Sequence, residues 1–358
     1  MTNLEDLPIR DDLKGLKPYG APQLDVPVQL NVNENTFGIP EAVALDIIQE
    51  LAAEVLRLNR YPDREFLELR GQFANFLGHG LSANQVWAAN GSNEILTQIF
   101  QAFGGPGKSS LSFGPTYSMY PNIARITLTS YQELPREGEF ELSAKYVAEQ
   151  LATHQPSIAL LCNPNNPTGT PIDNDVVRAA YDAFDGILII DEAYAEFSSK
   201  ASAIELLAGR PRLIVSRTMS KAFAFAGARV GYLAADEAVV DALRIVRLPY
   251  HLSALTQAAA RAALRHSAEM LANVEQIKVQ RDRMIAQLKL MGLRAYESEA
   301  NFVLVEGFEN PNEVFESLLA RGVIVRNVGI PNTLRITAGT EAETSKLLGE
   351  LALSLIHI

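Results

Sequence analysis

The stretch that decides the fold is Ile187-Leu-Ile-Ile-Asp-Glu-Ala-Tyr194, an apolar run that passes directly into two carboxylates and a tyrosine. Short apolar runs of the same kind, each bounded by turn residues, recur at Ser110–Phe113, Ile158–Cys162, Leu213–Ser216 and Val230–Ala234. Runs this short and rich in Val, Ile and Leu are typical of strands buried on both faces of a parallel sheet. The sequence therefore predicts an α/β fold with a mostly parallel sheet flanked by helices.

Helical spacing of apolar residues separates these runs, beginning at Glu41–Leu58, Glu65–Leu77 and Glu94–Phe103. After Arg247 the pattern changes to a long helix, in one or two pieces, that Ser253 can cap. Three strand-like segments and two further helices complete an α+β unit. A chain of 358 residues is long enough for about two domains. We therefore predict an N-terminal arm that packs on the small domain, a large domain and a smaller C-terminal α+β domain, at residues 1–35, 36–247 and 248–358.

The charge balance limits the partners of the protein. The chain has 42 acidic and 31 basic residues, a net charge of −11, which argues against a broad surface for nucleic acid or an anionic membrane. It lacks both a secretory signal and a membrane-spanning apolar stretch. The single cysteine, Cys162, fits a reducing compartment, and the five histidines lack the spacing of zinc ligands. We expect a cytoplasmic protein without a metal, nucleic-acid or membrane partner.

One glycine-rich segment, Gly104-Gly-Pro-Gly-Lys-Ser109, superficially resembles a phosphate-binding P-loop. The full motif requires a glycine where Ala102 stands, and it follows a strand, whereas this segment follows a predicted helix. A turn that ends the helix is the better interpretation.

Polar residues follow three of the predicted strands at the point where each ends. They are the clusters Asn163-Pro-Asn-Asn-Pro-Thr-Gly169, Asp191-Glu-Ala-Tyr194 and Ser216-Arg-Thr-Met-Ser-Lys221. In open α/β sheets, ligands bind outside the carboxyl ends of the strands. We therefore expect the three clusters to converge on one crevice.

Lys221 and its neighbours suit the chemistry of an aldehyde on a pyridine ring. Most lysines lie on the surface, but a lysine in an apolar setting at a strand end can act as a neutral amine. Asp191 ends a buried strand and needs a cationic partner, which a protonated pyridine nitrogen would provide. Asn166 and Tyr194 could donate hydrogen bonds to a phenolate oxygen.

The same clusters suit a phosphate group. Gly91-Ser92-Asn93 opens a predicted helix, where backbone N–H groups can bind an anion. Thr218, Ser220 and Arg229 add two hydroxyls and a positive charge.

This set of motifs resembles the pyridoxal-phosphate-dependent aminotransferases of the aspartate-aminotransferase fold type (fold type I, class-II subgroup). The motifs stand in the family's order and at similar spacing, from Tyr19 to Thr340. The resemblance implies that pyridoxal 5'-phosphate is the cofactor and that Lys221 holds it as an imine and then moves the proton. It also implies that Asp191 keeps the ring nitrogen protonated, so that the ring withdraws electrons.

Two tyrosines complete the expected cofactor site. By the resemblance, Tyr117 would stack on the ring, although without the neighbouring motifs a core tyrosine would be the better interpretation. Tyr61, in Arg60-Tyr-Pro-Asp63, is similar to the tyrosine that reaches the cofactor phosphate of the neighbouring subunit. If so, the protein is a homodimer and each site needs both chains.

Within this family the sequence is most similar to the histidinol-phosphate aminotransferases of histidine biosynthesis. The resemblance lies in Lys17-Pro-Tyr-Gly-Ala-Pro22, Leu30-Asn-Val-Asn-Glu-Asn35, Val323-Ile-Val-Arg326 and Leu334–Thr340. It implies the ping-pong transfer of an amino group from L-histidinol phosphate to 2-oxoglutarate, which gives imidazole acetol phosphate and L-glutamate.

The resemblance implies five substrate contacts: Tyr19, Asn93, Tyr250, Arg326 and Arg335. A dianionic phosphate favours more than one guanidinium on rigid strands. Alternatively, Arg326 forms a surface salt bridge and Tyr250 fills the domain junction.

The sequence also departs from the family pattern in two places. Thr36 stands where proline is usual, and the link between Arg326 and Arg335 is short. Because of the short link, the sequence does not determine how the two arginines would bind a phosphate.

Three other functions remain compatible with these motifs. An aromatic amino-acid aminotransferase would share the cofactor residues and the strand arginines. A decarboxylase of a phosphorylated amino acid would use the same scaffold. A non-catalytic regulator that binds the cofactor would need an additional module, for which the sequence has no spare segment.

Overall fold

The structure, a computed structural model, describes residues 4–357 and is built on β-sheets covered by helices. Its strands are β1 (Val28–Gln29), β2 (Val86–Ala89), β3 (Ser109–Gly114), β4 (Ser130–Pro135), β5 (Ile158–Cys162), β6 (Ile187–Asp191), β7 (Leu213–Thr218), β8 (Gly231–Ala235), β9 (Arg294–Ala295), β10 (Phe302–Glu306), β11 (Val323–Ile324) and β12 (Thr333–Thr337).

The α-helices lie between these strands, and the last one follows β12. They are α1 (Glu41–Val55), α2 (Leu67–Leu77), α3 (Ser92–Phe103), α4 (Met119–Ile126), α5 (Ala144–His154), α6 (Asn174–Ala183), α7 (Glu237–Val246), α8 (Ala254–Arg265), α9 (Ser267–Leu271), α10 (Val274–Leu290), α11 (Pro311–Ala320) and α12 (Glu341–His357). Two short 3₁₀ turns, Leu4–Asp6 and Asp11–Leu13, occupy the N-terminal arm.

A seven-stranded sheet forms the centre of the fold, in the order β2-β8-β7-β6-β5-β3-β4. All neighbouring strands are parallel except β8, which runs antiparallel to both β2 and β7. The predicted mostly parallel sheet is therefore confirmed. The sequence does not predict the edge strand β4, because its residues, Ser-Tyr-Gln-Glu-Leu-Pro, are half polar and largely exposed and so lack the continuous apolar run of a buried strand.

The register of the central strands brings their carboxyl ends together. Cys162 at the end of β5 lies beside Asp191 at the end of β6, and Asp191 lies beside Ser216 of β7. The three polar clusters of the sequence therefore begin at one edge of the sheet. Gly104 follows α3 and its N–H bonds to Phe100 O, which confirms that the glycine-rich segment ends a helix.

A second, smaller core surrounds the antiparallel sheet β12-β10-β9. The N-terminal arm joins it, because β1 pairs in parallel with β11. Ser253 caps α8, as predicted, and its Oγ accepts a hydrogen bond from Thr256 N at 3.0 Å. However, α8 packs on α1, and Ala260 and Ala263 lie in the large core. We therefore propose that the large domain continues to about Leu271 instead of ending at residue 247.

No helix within residues 4–357 is long and apolar enough to cross a membrane.

A buried charge cluster lies directly after the end of β6. Arg217 of β7 pairs with Glu192 at 2.8 Å and with Glu196 at 3.1 Å, and all three side chains are at most 10% exposed. Ser202 Oγ accepts from Arg217 at 2.9 Å and donates to Glu192 at 2.7 Å. Because one guanidinium serves two buried carboxylates, its loss would leave both of them unpaired.

We expect Arg217→Met to lower the free energy of unfolding by about 3–5 kcal/mol, because breaking a buried ion pair leaves uncompensated charge. Urea denaturation measures the change. Arg178→Met is the matched control: Arg178 pairs with Asp175 on the surface of α6, where an ion pair stabilises a protein little. Equal losses in the two variants would contradict the prediction.

Candidate active site

A cavity of about 460 Å³ opens where the carboxyl ends of β5, β6 and β7 meet the small domain. Most of the residues that the sequence predicts as functional line it. They are Tyr19, Ser92, Asn93, Tyr117, Asn166, Asp191, Tyr194, Thr218, Ser220, Lys221, Arg229, Arg326 and Arg335. Three predicted residues, Gly91, Tyr61 and Tyr250, do not line it.

Lys221 lies just beyond β7, and its ammonium group is held inside the cavity. Its Nζ donates a hydrogen bond to Val32 O at 2.9 Å. Burial lowers the pKa of this amine to about 8, and the positive charges of Arg335 and Arg229 contribute to the shift. At pH 7 about a tenth of an amine with this pKa is neutral, far more than for a lysine at its usual pKa, and the neutral form is the one that attacks an aldehyde.

Asp191 ends β6 as a buried carboxylate that is 3% exposed. Tyr120 donates a hydrogen bond to its Oδ2 at 2.9 Å, and Ser216 donates to its Oδ1 at 3.2 Å. Among residues 4–357, no lysine or arginine lies within 4.0 Å of this carboxylate, and burial raises its pKa. A cationic ligand atom in the cavity, such as a protonated ring nitrogen, would therefore complete the pairing that the protein leaves open.

Tyr120 is a functional residue that the sequence does not reveal. It is fully buried in α4, where its pattern is that of any core aromatic residue, and only the structure brings its hydroxyl to Asp191. Its neighbour Tyr117 lines the cavity and donates a hydrogen bond to Asn93 Oδ1 at 3.0 Å. Tyr117 is thus available to a ring in the cavity rather than enclosed in the core.

The Tyr194 hydroxyl receives two hydrogen bonds from side-chain amides. Asn166 Nδ2 donates at 3.3 Å and Asn33 Nδ2 donates at 3.0 Å. The sequence predicts Asn166 from its motif, whereas Asn33 stands out only as part of the segment Leu30–Asn35. Its burial and its left-handed conformation, which explain why its side chain needs partners, are visible only in the structure.

The corner that the sequence predicts to bind a phosphate is formed by the start of α3 and the loop before β8. Gly91, with φ of 87°, allows close packing, because a Cβ there would lie 2.4 Å from Arg229 Nη2. A Cβ on Gly231 would lie 2.3 Å from Ser92 N. The two glycines therefore let the guanidinium and the first free N–H groups of the helix share one concave corner, a cradle that fits an anion.

Arg326 and Arg335 are held side by side by the backbone. Arg326 N donates to Arg335 O at 3.0 Å, and Arg335 N donates to Arg326 O at 2.8 Å. This bridge needs only a short link, which explains the spacing between the two residues. No carboxylate in the described part of the chain lies within 4.0 Å of Arg326, so the alternative of a surface salt bridge is wrong.

Arg335 is buried, and two of its three guanidinium nitrogens donate hydrogen bonds within the protein. Its Nη1 donates to Asn166 Oδ1 at 2.7 Å and its Nη2 to Asn31 O at 2.8 Å, while its Nε has no partner among the described residues. Thr36, the other departure from the family pattern, donates a hydrogen bond to Glu343 and so fastens the arm to the small domain.

Tyr61 and Tyr250 lie on the surface and stack on each other, with ring centroids 4.4 Å apart. They are 80% and 39% exposed. Tyr250 therefore does not line the cavity of its own chain and does not fill the domain junction, and its contact with the substrate stays a prediction. Its position beside Tyr61 is set by the left-handed backbone at Tyr250, with φ of 61°.

Comparison with known proteins agrees with this geometry. The family described as aminotransferase class I and II matches residues 26–351. A histidinol-phosphate aminotransferase of Paenarthrobacter aurescens is 55% identical over 356 residues, which are 98% of this chain and 96% of that protein. A histidinol-phosphate aminotransferase of Frankia casuarinae is 52% identical, and the match covers 98% of this chain and 91% of that protein.

The fold also matches solved structures. A histidinol-phosphate aminotransferase from Sinorhizobium meliloti, solved in complex with pyridoxal-5'-phosphate, superposes with a TM-score of 0.88 over 98% of both chains at 24% identity.

The pKa of Lys221 leads to a prediction for the protein without cofactor. The rate at which Lys221 reacts with an aldehyde should rise with pH and level off above about pH 8, because the neutral amine is the nucleophile and the folded state lowers its pKa to about 8. Borohydride trapping followed by peptide mass spectrometry measures the rate at this residue. The other lysines in the same peptide digests give the pH dependence of an ordinary lysine. A rate at Lys221 that still rises above about pH 10, as theirs should, would contradict the prediction.

Proposed function

This chain belongs to the class I and II aminotransferases, and within them to the histidinol-phosphate aminotransferases of histidine biosynthesis; we propose that its cavity transfers the amino group of L-histidinol phosphate to 2-oxoglutarate. The products would be imidazole acetol phosphate and L-glutamate. The observation that carries the proposal is the presence, in one cavity, of a lysine with a lowered pKa, a buried carboxylate and an arginine, the latter two without an ion-pair partner among residues 4–357.

The cofactor of this family member is pyridoxal 5'-phosphate, and the cavity residues fit it. Asp191 would pair with the ring nitrogen, and Tyr194 and Asn166 would bind the ring oxygen. The glycine-lined corner would hold the phosphate through the N–H groups of Ser92 and Asn93 and the side chains of Thr218, Ser220 and Arg229. When bound, the cofactor supplies an electron sink for the charge that develops on the substrate carbon.

Lys221 would carry the proton during the reaction. Its Nζ has a pKa of about 8, so it can accept a proton from the substrate carbon and return one at working pH. The hydrogen bond to Val32 O would hold the amine in position between these two proton transfers. Because one lysine and one cofactor site handle both half-reactions, the kinetics would be ping-pong.

The substrate phosphate would bind at Arg326 and Arg335. Arg326 has no ion-pair partner within the described residues, so its guanidinium can pair with a phosphate. Arg335 lies beside it, and its Nε, which has no partner in the described part of the chain, can donate a hydrogen bond to the same phosphate. Tyr19, from the arm, lines the same cavity and shares a hydrogen bond with Ser118 at 2.8 Å. Together with Asn93, it would close the substrate-binding side of the cavity.

A homodimer is part of the proposal. Large apolar side chains are exposed in two segments that the Tyr61–Tyr250 stack joins, and they include Leu45, Ile48, Leu56, Leu58, Ile245 and Leu248. Apolar surface of this kind is typical of an interface. A second copy that covers it would bring Tyr61 to the neighbour's phosphate corner. We also propose a cytoplasmic location, because the sequence has a single cysteine, which is buried and cannot form a disulfide within the chain.

Arg326→Ala tests the substrate. It should lower kcat/KM for L-histidinol phosphate by about 10–100-fold, the loss of one charge-assisted hydrogen bond, and leave unphosphorylated L-histidinol within a few-fold. Arg321→Ala is the matched control, because Arg321 pairs with Glu350 outside the cavity. An equal loss on both substrates would contradict the assignment.

The same assay separates the alternatives. A wild-type protein that turns over phenylalanine or tyrosine faster than histidinol phosphate would be an aromatic amino-acid aminotransferase, and release of carbon dioxide would indicate a decarboxylase. Lys221→Ala should abolish turnover of every substrate, and retained turnover would refute the proposed mechanism.

The dimer is tested by mixing two inactive variants. Tyr61→Ala and Lys221→Ala damage different halves of a shared site, so a hybrid dimer contains one intact site. After unfolding and refolding together, the mixture should recover roughly a quarter of wild-type activity, because random pairing makes about half of the dimers hybrid and each hybrid has one of its two sites intact. Light scattering verifies the dimer mass. No recovery in a mixture of dimers would show that Tyr61 does not act across the interface.

A further inference from the structure

The hydrogen of the Tyr194 hydroxyl has a defined direction. The hydroxyl oxygen accepts a hydrogen bond from Asn33 Nδ2 at 3.0 Å and another from Asn166 Nδ2 at 3.3 Å. A phenol oxygen that accepts twice still has one hydrogen to donate, and that hydrogen must point away from both amides. Its direction therefore depends on which way the two amides face.

The orientation of the Asn33 amide is fixed by Thr337. The backbone N–H of Asn33 can only donate, and it donates to Thr337 Oγ1 at 3.1 Å. Thr337 Oγ1 in turn donates its own hydrogen to Asn33 Oδ1 at 3.0 Å. Because Oδ1 is the acceptor, the NH₂ group of Asn33 faces Tyr194.

The orientation of the Asn166 amide is fixed in the same way by Arg335. A guanidinium has donors only, and Arg335 Nη1 donates to Asn166 Oδ1 at 2.7 Å. The NH₂ group of Asn166 therefore also faces Tyr194. Both asparagines are buried, at 1% and 8% exposed.

We propose that Asn33 is a positioning residue, which together with Asn166 turns the hydroxyl hydrogen of Tyr194 into the cavity, towards the ring oxygen of the cofactor. This inference rests on the proposed function. The surrounding structure holds Asn33 rigidly, because it is fully buried, adopts the left-handed φ of 58° that asparagine tolerates, and accepts a hydrogen bond from Asn301 Nδ2 at its backbone oxygen at 3.1 Å.

Burial keeps Tyr194 protonated, since it raises the pKa of the phenol despite the nearby arginine. Other titratable or charged groups also face this tyrosine from the elements packed around it. They are Lys221, with Nζ 6.0 Å from the ring centroid, and Arg335, Asp191, Cys162 and Tyr117. A change at Asn33 alone leaves all of these groups in place.

Asn33→Asp tests the inference in the enzyme loaded with pyridoxal phosphate. Aspartate keeps the oxygen that bonds to Thr337 but replaces the NH₂ group with an acceptor, so the Tyr194 hydroxyl would donate to it and leave the cofactor oxygen. A donor to a phenolate oxygen stabilises its anionic form. The pH midpoint of the absorbance change of the bound cofactor should therefore rise by about one to two units, the value of one charge-assisted hydrogen bond.

Asn35→Asp is the matched control. It places the same charge two residues along the same segment, where the Asn35 side chain contacts Ala222 O and Phe37 N but not Tyr194. Its midpoint should move far less. A second variant, Asn33→Gly, accepts the left-handed backbone and removes the donor without adding charge, and its midpoint should rise by less than that of Asn33→Asp.

Tyr194→Phe decides whether Asn33 acts through the hydroxyl. In that background, Asn33→Asp should shift the midpoint little further; a shift of full size would overturn the inference. Provided that the cofactor absorbance of the wild-type protein changes with pH, equal midpoints for Asn33→Asp, Asn33→Gly and Asn35→Asp would also overturn the inference. By contrast, a wild-type protein that shows no cofactor absorbance would refute the proposed function itself.

Discussion

The buried carboxylate of Asp191 is the constraint on which the rest of the site depends. It ends β6 between Cys162 and Ser216, and two hydroxyl donors offset only part of the cost of burying its charge. The next residue, Glu192, has its charge matched by Arg217. Glu192 is thus paired inside the protein, whereas Asp191 has no cationic partner among the described residues. The Asp191 carboxylate would be paired only when a cation occupies the cavity.

Positive charge is concentrated in this cavity although the chain has a net charge of −11. Lys221, Arg229, Arg326 and Arg335 line one space and no carboxylate in the described residues pairs with Arg326. Burial is the main reason for the lowered pKa of Lys221, repulsion by Arg335 and Arg229 adds to it, and the same field attracts an anionic substrate. In the proposed function, a single arrangement of charges would therefore serve both the reactivity of the amine and the binding of phosphate.

The parts of the site that lie at strand ends could be predicted from sequence, because an apolar run that stops at a polar cluster fixes both the position and the depth of its residues. Asp191 and Lys221 are of this kind. Tyr120 could not be found, since a buried aromatic residue on a helix has the same pattern whether or not its hydroxyl meets a carboxylate. The surface position of Tyr250 could not be predicted either, because the turn that carries it there depends on one left-handed residue.

Three consecutive residues of the arm connect groups from both domains. Asn31 O accepts from Arg335, Val32 O accepts from Lys221, and the Asn33 amide donates to Tyr194. These contacts use backbone oxygens for the two cations, which explains why the arm stabilises positive charge there without adding an acid that would pair with it and block a phosphate. Since the three partners are adjacent along one chain segment, displacement of that segment would alter the substrate arginine, the amine and the phenol together.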